Sequence, residues 1–381
     1  MQRILAEELR PGMIVARAIV DNDGKPLMAQ NSMLTDQAIG KLRQIGVGSI
    51  YTKNGIGDID VPENISVRVV DSISESMKTL LKTFRTGKSF DMSSLVKGVD
   101  LLIADIMANR HLLLQLDDIR NHGTYLLYHS INVAAFSVMV GLALGYNERN
   151  LMELGLGALL HDVGMTTVNP DILNKPEALD SAEIRIVQRH PEIGYNILQT
   201  HREVSPTVSH IVYQHHERVD GSGYPRRLKS EQILEYAKIV AVADTYDAVV
   251  SDRPYRKGYS VTDGVILLQK LTDTYFDREI VEALASNVAM YPAGSFVGLN
   301  TGHIALVTAV NKVNSTRPMV QVICGRDGNL VSNYEVDLSE QPEMFIARRL
   351  GNIETNMVRL KLKIQQRNLQ PGDVVCAEDF V

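Results

Sequence analysis

The chain has 381 residues, 45% hydrophobic and 22% charged, a composition that excludes wholesale disorder. Its 39 Lys and Arg against 45 Asp and Glu leave a formal net charge of −6, which argues against a general binder of nucleic-acid polymers. Two cysteines exclude a disulfide framework, and no apolar run reaches the roughly 20 residues that span a bilayer. The expectation is a soluble cytoplasmic protein of two or three domains with no membrane partner.

At the start of the chain, Met13 to Ala16 follow a Pro11-Gly12 turn, and Asp23-Gly24 reads as a hairpin turn. Leu34 to Ile45 carries apolar residues at helical spacing, with Thr35 as the N-cap. Ser49-Ile50-Tyr51 reads as a strand, so residues 1–63 are expected to form a small α+β regulatory module ending in a linker rich in Gly, Asp and Asn. Residues 64–122 read as a helical connector. It has apolar positions at 70, 73, 77, 80, 81 and 84, and a second helical stretch from Leu101 to Ile119. These helices serve packing or, alternatively, a homodimer. Residues 123–289 read as almost wholly helical, with breaks near Gly145, Gly164 to Pro176, Gly221 to Arg227 and Asp252 to Gly258. Beyond them, Phe296-Val297, His303 to Val310 and Met319 to Cys324 are short β-branched runs, so residues 290–381 are expected to be a small β-rich module. The fold class is mainly α: an all-helical domain flanked by two small modules.

The histidines carry the chemistry. Seven of the ten lie between 129 and 216. His161-Asp162 and His215-His216 are tandem doublets, and His129, His190 and Asp244 accompany them. Imidazole with carboxylate suits borderline to hard divalent ions, and no cysteine is at hand for a structural zinc site. Neighbours on a helix point about 100° apart. Each doublet is therefore expected to serve two adjacent ions rather than one, and a carboxylate can bridge two ions. Such a pair of metals, with a hydroxide between them, suits in-line hydrolysis of a phosphodiester. The apolar residues before His161 and Asp244 imply buried helices, where an unpaired carboxylate is costly. His111, His122, His201, His210 and His303 read as ordinary surface or core histidines. Two basic clusters, Arg226, Arg227 and Lys229, then Arg253, Arg256 and Lys257, lie close to these doublets in sequence and fit an anionic substrate.

Read together, these residues resemble the HD-GYP family of metal-dependent phosphohydrolases. The resemblance covers residues 123–289 and rests on four motifs in order. They are His161-Asp162, the stretch His215 to Pro225 that ends in Gly223-Tyr224-Pro225, Ala243-Asp244-Thr245-Tyr246-Asp247-Ala248, and Ser251 to Lys257. It implies hydrolysis of cyclic di-GMP to linear pGpG or GMP with two or three iron or manganese ions. It implies metal ligation by His129, His161, Asp162, His190, His215, His216 and Asp244, with His161 and Asp162 at the catalytic centre. Arg253, Lys257 and Asp247 are implied at the substrate. The Gly223-Tyr224-Pro225 loop is implied to be structural or to face a partner such as a GGDEF-type signalling protein.

Two positions depart from the family pattern. Met165 stands where the family has a Lys that touches a substrate phosphate, and a thioether cannot supply a charged hydrogen bond. Tyr125 stands where members with a third metal carry Glu, so two ions are expected. These departures keep an alternative open, a catalytically weak receptor for cyclic di-GMP or a protein. Hydrolysis of another nucleotide is a third reading.

Overall fold

The structure is a computed structural model that describes residues 2–6, 9–16, 18–20, 26–45, 47, 49–53, 65–85, 91–109, 125–173, 175, 177–251, 258–351, 354, 355, 357, 358 and 360–362. The chain divides into two compact units. One comprises Met1–Pro62, Ile119–Gly123 and Ala289–Val381; the other comprises Glu63–Asp118 and Thr124–Val288.

In the first unit, β1 (Gln2–Leu5), β2 (Ile14–Val15), β3 (Ile19–Val20), β4 (Pro26–Met28), α1 (Asp36–Gln44) and β5 (Ser49–Lys53) follow the expected order. The sheet runs β1-β5-β2, and β3 pairs with β4. The Asp23-Gly24 turn lies outside the described residues. The Thr35 side chain accepts from the Ala38 amide and so fixes the start of α1. Val15, Leu34, Ile39, Leu42 and Ile50 bury together beneath the helix.

The later part of this unit is a five-stranded antiparallel sheet in the order β10-β6-β7-β8-β9. Its strands are β6 (Phe296–Leu299), β7 (Ile304–Ala309), β8 (Met319–Cys324), β9 (Leu330–Asp337) and β10 (Ile346–Arg349). The first three match the expected runs. The last two escape a hydropathy reading because most of their residues are only partly buried or exposed.

The second unit is helical: α2 (Val67–Arg85), α3 (Ser93–Ala108), α4 (Tyr125–Ala143), α5 (Glu148–Leu160), α6 (Pro170–Leu173), α7 (Ser181–Val187), α8 (His190–Gln199), α9 (Pro206–Gln214), α10 (Glu235–Val250), α11 (Val261–Lys270) and α12 (Arg278–Asn287). Of the expected helix over 101–119, residues 101–108 are helical and residues 110–119 lie outside the described residues. Helix α3 starts at Ser93, because Leu95, Val99, Leu102, Ile103 and Ile106 form one buried stripe, and it ends at Ala108. Helix α4 is buried around most of its circumference and packs against α5 and α10. Small residues allow these close approaches. A Cβ on Gly157 of α5 would stand 2.4 Å from Ile211 of α9. Among the described residues, no helix is long and apolar enough to cross a membrane.

Candidate metal centre

Most of the expected ligands sit where helices begin or end. Asn147 caps α5, accepting from the Asn150 amide at 3.0 Å, and the helix runs out at Leu160. His161 is its C-cap, and Asp162 precedes a short 3-10 turn over Val163–Thr167. His190 is the first residue of α8. Ser205 caps α9, which ends at Gln214, so His215 is the C-cap and His216 lies beyond it. His129 and Asp244 project from the interiors of α4 and α10.

The expectation that each doublet divides between two ions holds for His161 and Asp162, which fall in different ligand clusters, and not for His215 and His216, which share one. Both doublets fall where the helix has stopped. The rings of His215 and His216 lie 4.2 Å apart and belong to one cluster. Ligand atoms of Asp162, His190, His215 and His216 lie within 4.8 Å of one another, and those of His129, His161 and Asp244 form a second such cluster. Asp162 stands between the two. Its Oδ1 is 3.2 Å from His190 Nε2, and its Oδ2 is 3.4 Å from His161 Nε2 and 3.9 Å from His129 Nε2. Asp244 also reaches both ways, with Oδ1 3.2 Å from His129 Nε2 and Oδ2 3.9 Å from His216 Nδ1.

The donor atoms fit divalent cations. His161, His190 and His215 each hold Nδ1 at 2.7 Å from a carbonyl three residues back, on Ala158, Val187 and Val212. A carbonyl only accepts, so Nδ1 carries a proton in each ring and Nε2 is the atom left to ligate. The Nε2 atoms of His190 and His215 face each other at 3.2 Å, where two lone pairs repel unless a cation or proton joins them. His161 Nε2 is buried with no hydrogen-bond partner. Neutral imidazoles and carboxylates converging in this way suit zinc, manganese or iron.

Charge is balanced accordingly. Burial alone would raise Asp162, but in the metal-free chain the charge and hydrogen bond of His161, then the hydrogen bond of His190, outweigh it and hold its carboxyl well below the usual range; a bound cation takes the place of those ring protons. Burial would likewise raise Asp244, yet in the metal-free chain the hydrogen bond and charge of His129 bring it down to about 2. Burial, then neighbouring imidazoles, push His215 and His216 well below the ordinary histidine value, so both are neutral near pH 7 and ready to ligate.

The Gly223-Tyr224-Pro225 loop folds back against the second doublet. Buried Glu217 accepts from the Arg226 and Leu228 amides at 2.8 Å each, which pins the loop's far side. A Cβ on Gly223 would stand 2.4 Å from the Arg218 amide nitrogen, so only glycine allows the approach. The Tyr224 amide donates to the His216 carbonyl at 3.2 Å, and its ring stacks on the His216 ring with centroids 4.6 Å apart. Tyr224→Phe is therefore expected to keep metal affinity, while Tyr224→Ala lowers it about tenfold, the usual scale for an outer-shell partner. A metal titration of the two variants checks this.

Asp247, expected at the substrate, is instead 1% exposed, with Oδ2 2.7 Å from His129 Nδ1 and Oδ1 accepting from Asn132 Nδ2 at 2.9 Å. Arg253 and Lys257 lie outside the described residues, as do Arg256, His111, His122 and the side chain of Tyr125. The expected set omits Glu217, Tyr224 as a ring support, and Asn132. Glu217 and Tyr224 belong to the signature stretch itself. Asn132 is legible only as one turn beyond His129.

A helical core in which a His-Asp doublet at a helix end meets distant histidines and a further Asp defines a metal-dependent phosphohydrolase of the HD class. The HD domain family matches residues 102–280, and a KOW domain associated with HD domain matches residues 296–356. The match places an HD domain at residues 102–280, in line with the resemblance drawn from the motifs. It is 29% identical to the cyclic di-GMP phosphodiesterase PA4108 of Pseudomonas aeruginosa over 84% of this chain and 85% of that protein. It is 30% identical to the cyclic di-GMP phosphodiesterase PdeB of Borreliella burgdorferi, over 55% of each chain. It is also 33% identical to 3'3'-cGAMP-specific phosphodiesterase 3 of Vibrio cholerae, over 44% of this chain and 36% of that one. In structure it is similar to Bd1817, an HDG"Y"P protein from Bdellovibrio bacteriovorus. The TM-score is 0.50 at 16% identity, covering 74% of this chain and 97% of that one, a likeness of fold.

Proposed function

We propose that the chain is a phosphodiesterase that hydrolyses cyclic di-GMP to pGpG or GMP at a centre of two divalent ions, iron or manganese. One observation carries this reading. Asp162 offers one oxygen to each of two ligand clusters, as a carboxylate shared between two ions must. Bound there, two ions supply a Lewis acid for a phosphoryl oxygen and lower the pKa of a water.

The chain's own residues do the rest. His190, His215, His216 and Asp162 hold one ion, and His129, His161 and Asp244 hold the other. Exposed Arg226, Arg227 and Lys229 draw in an anionic substrate. Arg253 and Lys257 take its phosphates or bases, as the family resemblance implies. Residues 123–289 act as the phosphohydrolase domain, 1–63 as a regulatory module joined by a connector over 64–122, and 290–381 as a β-rich module. Asp220, Ser222, Arg226 and Arg227 form the exposed part of the signature loop open to a signalling partner. In the test, purified protein loaded with Mn2+ converts cyclic di-GMP to pGpG, with 3'3'-cGAMP as the competing substrate. No product over many hours at full metal occupancy would overturn the proposal.

Met165 favours a second reading, a slow enzyme that serves as a receptor. It lies in the turn directly after Asp162, partly exposed. Met165→Lys restores a charge-assisted phosphate contact of about 1.5 kcal/mol, so KM is expected to fall about tenfold. An unchanged KM and kcat would argue against this second reading.

A further inference from the structure

The histidines of the centre are not held alike. His161 and His215 cap helix C-termini, and His190 follows the last turn of α7. Carbonyls near helix ends lack intrahelical partners, so each ring anchors Nδ1 on one. His129 lies inside α4, where the carbonyls belong to the helix ladder. Its Nδ1 needs another acceptor, and α10 supplies it.

Asp244 and Asp247 are three residues apart on α10 and therefore share a face. Asp244 approaches His129 Nε2 at 3.2 Å, while Asp247 Oδ2 takes Nδ1 at 2.7 Å. The other oxygen of Asp247 is fixed by Asn132 Nδ2, one turn from His129, at 2.9 Å, and by Ser251 Oγ at 3.2 Å. A buried carboxylate held at both oxygens stays directed at the His129 ring.

We infer that Asp247 is a positioning residue that keeps the His129 proton on Nδ1 and its Nε2 lone pair aimed at the second ligand cluster. This rests on the reading of that cluster as a metal site. A carboxylate behind a ligating imidazole raises its basicity above what a carbonyl gives, and loss of such a partner typically weakens metal binding about 10–100-fold. The ion held by His129, His161 and Asp244 therefore depends on Asp247, and the ion held by Asp162, His190, His215 and His216 does not.

Mn2+ titration of the full-length metal-free chain tests this. Asp247→Asn keeps the shape but removes the charge, and its NH2 competes for the place facing His129. The expected result is one Mn2+ bound as in the wild type and the second weakened about 10–100-fold. His129→Ala should lose the same ion, and the double variant should lose no more, since the residues act as a unit. Wild-type affinity for both ions in Asp247→Asn would overturn the inference while leaving the metal centre intact. A wild-type chain that binds no ion would overturn both. Should Asp247→Asn fail to fold, histidine 15N NMR of the Zn2+-loaded wild type gives the same decision. A proton on His129 Nδ1 supports the inference, and a proton on Nε2 overturns it.

Discussion

Replacing His161 and Asp162 together with Ala is expected to remove both ions and to lower phosphodiesterase activity at least about a thousandfold, or ~4 kcal/mol of transition-state stabilisation. The size of the effect follows from position. Asp162 Oδ1 lies 3.2 Å from His190 and its Oδ2 3.4 Å from His161, so one substitution takes an oxygen from each ligand cluster. The other substitution removes a buried Nε2 that has no hydrogen-bond partner within the chain. The metal-free fold should survive, because a buried carboxylate and its desolvation cost leave together. Metal content, cyclic di-GMP turnover and far-ultraviolet circular dichroism on one preparation check all three statements. A double variant that still holds two ions would contradict the assignment.

Gly164→Ala is expected to be the most damaging single methyl group near the centre. A Cβ there would stand 2.0 Å from the His190 carbonyl oxygen and 2.8 Å from the Gly194 amide nitrogen. Both neighbours are backbone, so no rotamer change relieves the overlap. The turn that carries Asp162 and the start of α8 must separate, and His190 moves with α8. Overpacking of this kind costs about 1–3 kcal/mol or more. For a unit of this size, each kcal/mol lowers Tm by about 2–4 °C. Activity should fall more than stability alone explains, because Asp162 and His190 part. Gly40→Ala in α1 is the control: its Cβ meets nothing within 4 Å, and alanine is worth about 1 kcal/mol over glycine inside a helix. Thermal melts and turnover of the two variants separate a local clash from a general intolerance of alanine.

The site was legible in the sequence to the extent that its chemistry is carried by residue type. Histidine beside aspartate in an apolar helix has few purposes other than metal, and the spacing of the motifs carried the family resemblance. The geometry was less legible. Helical phase predicts divergent neighbours for His215 and His216, but the doublet sits at the C-terminus of α9, where the two rings lie 4.2 Å apart in one cluster. Asp247 shows the same limit. A carboxylate near a phosphate site reads as a substrate contact until the fold shows which ring faces it. For the fold itself, Thr35 and the apolar period of α1 and α2 gave those helices directly. The start of helix α3 was read late, at Leu101 rather than Ser93, although Leu95, Gly98 and Val99 are already buried. Strands β9 and β10 were missed because their few inward apolar residues, Val331, Val336 and Ile346, pack only partly buried against the sheet's core between polar neighbours.

The most direct measurement is elemental analysis of the protein purified without oxygen, followed by chelation and reloading. The account predicts about two iron or manganese ions per chain, with pGpG formation lost on chelation and restored on reloading. A chain that stays metal-free when offered Fe2+ and Mn2+, or that cleaves cyclic di-GMP equally well without them, would contradict it.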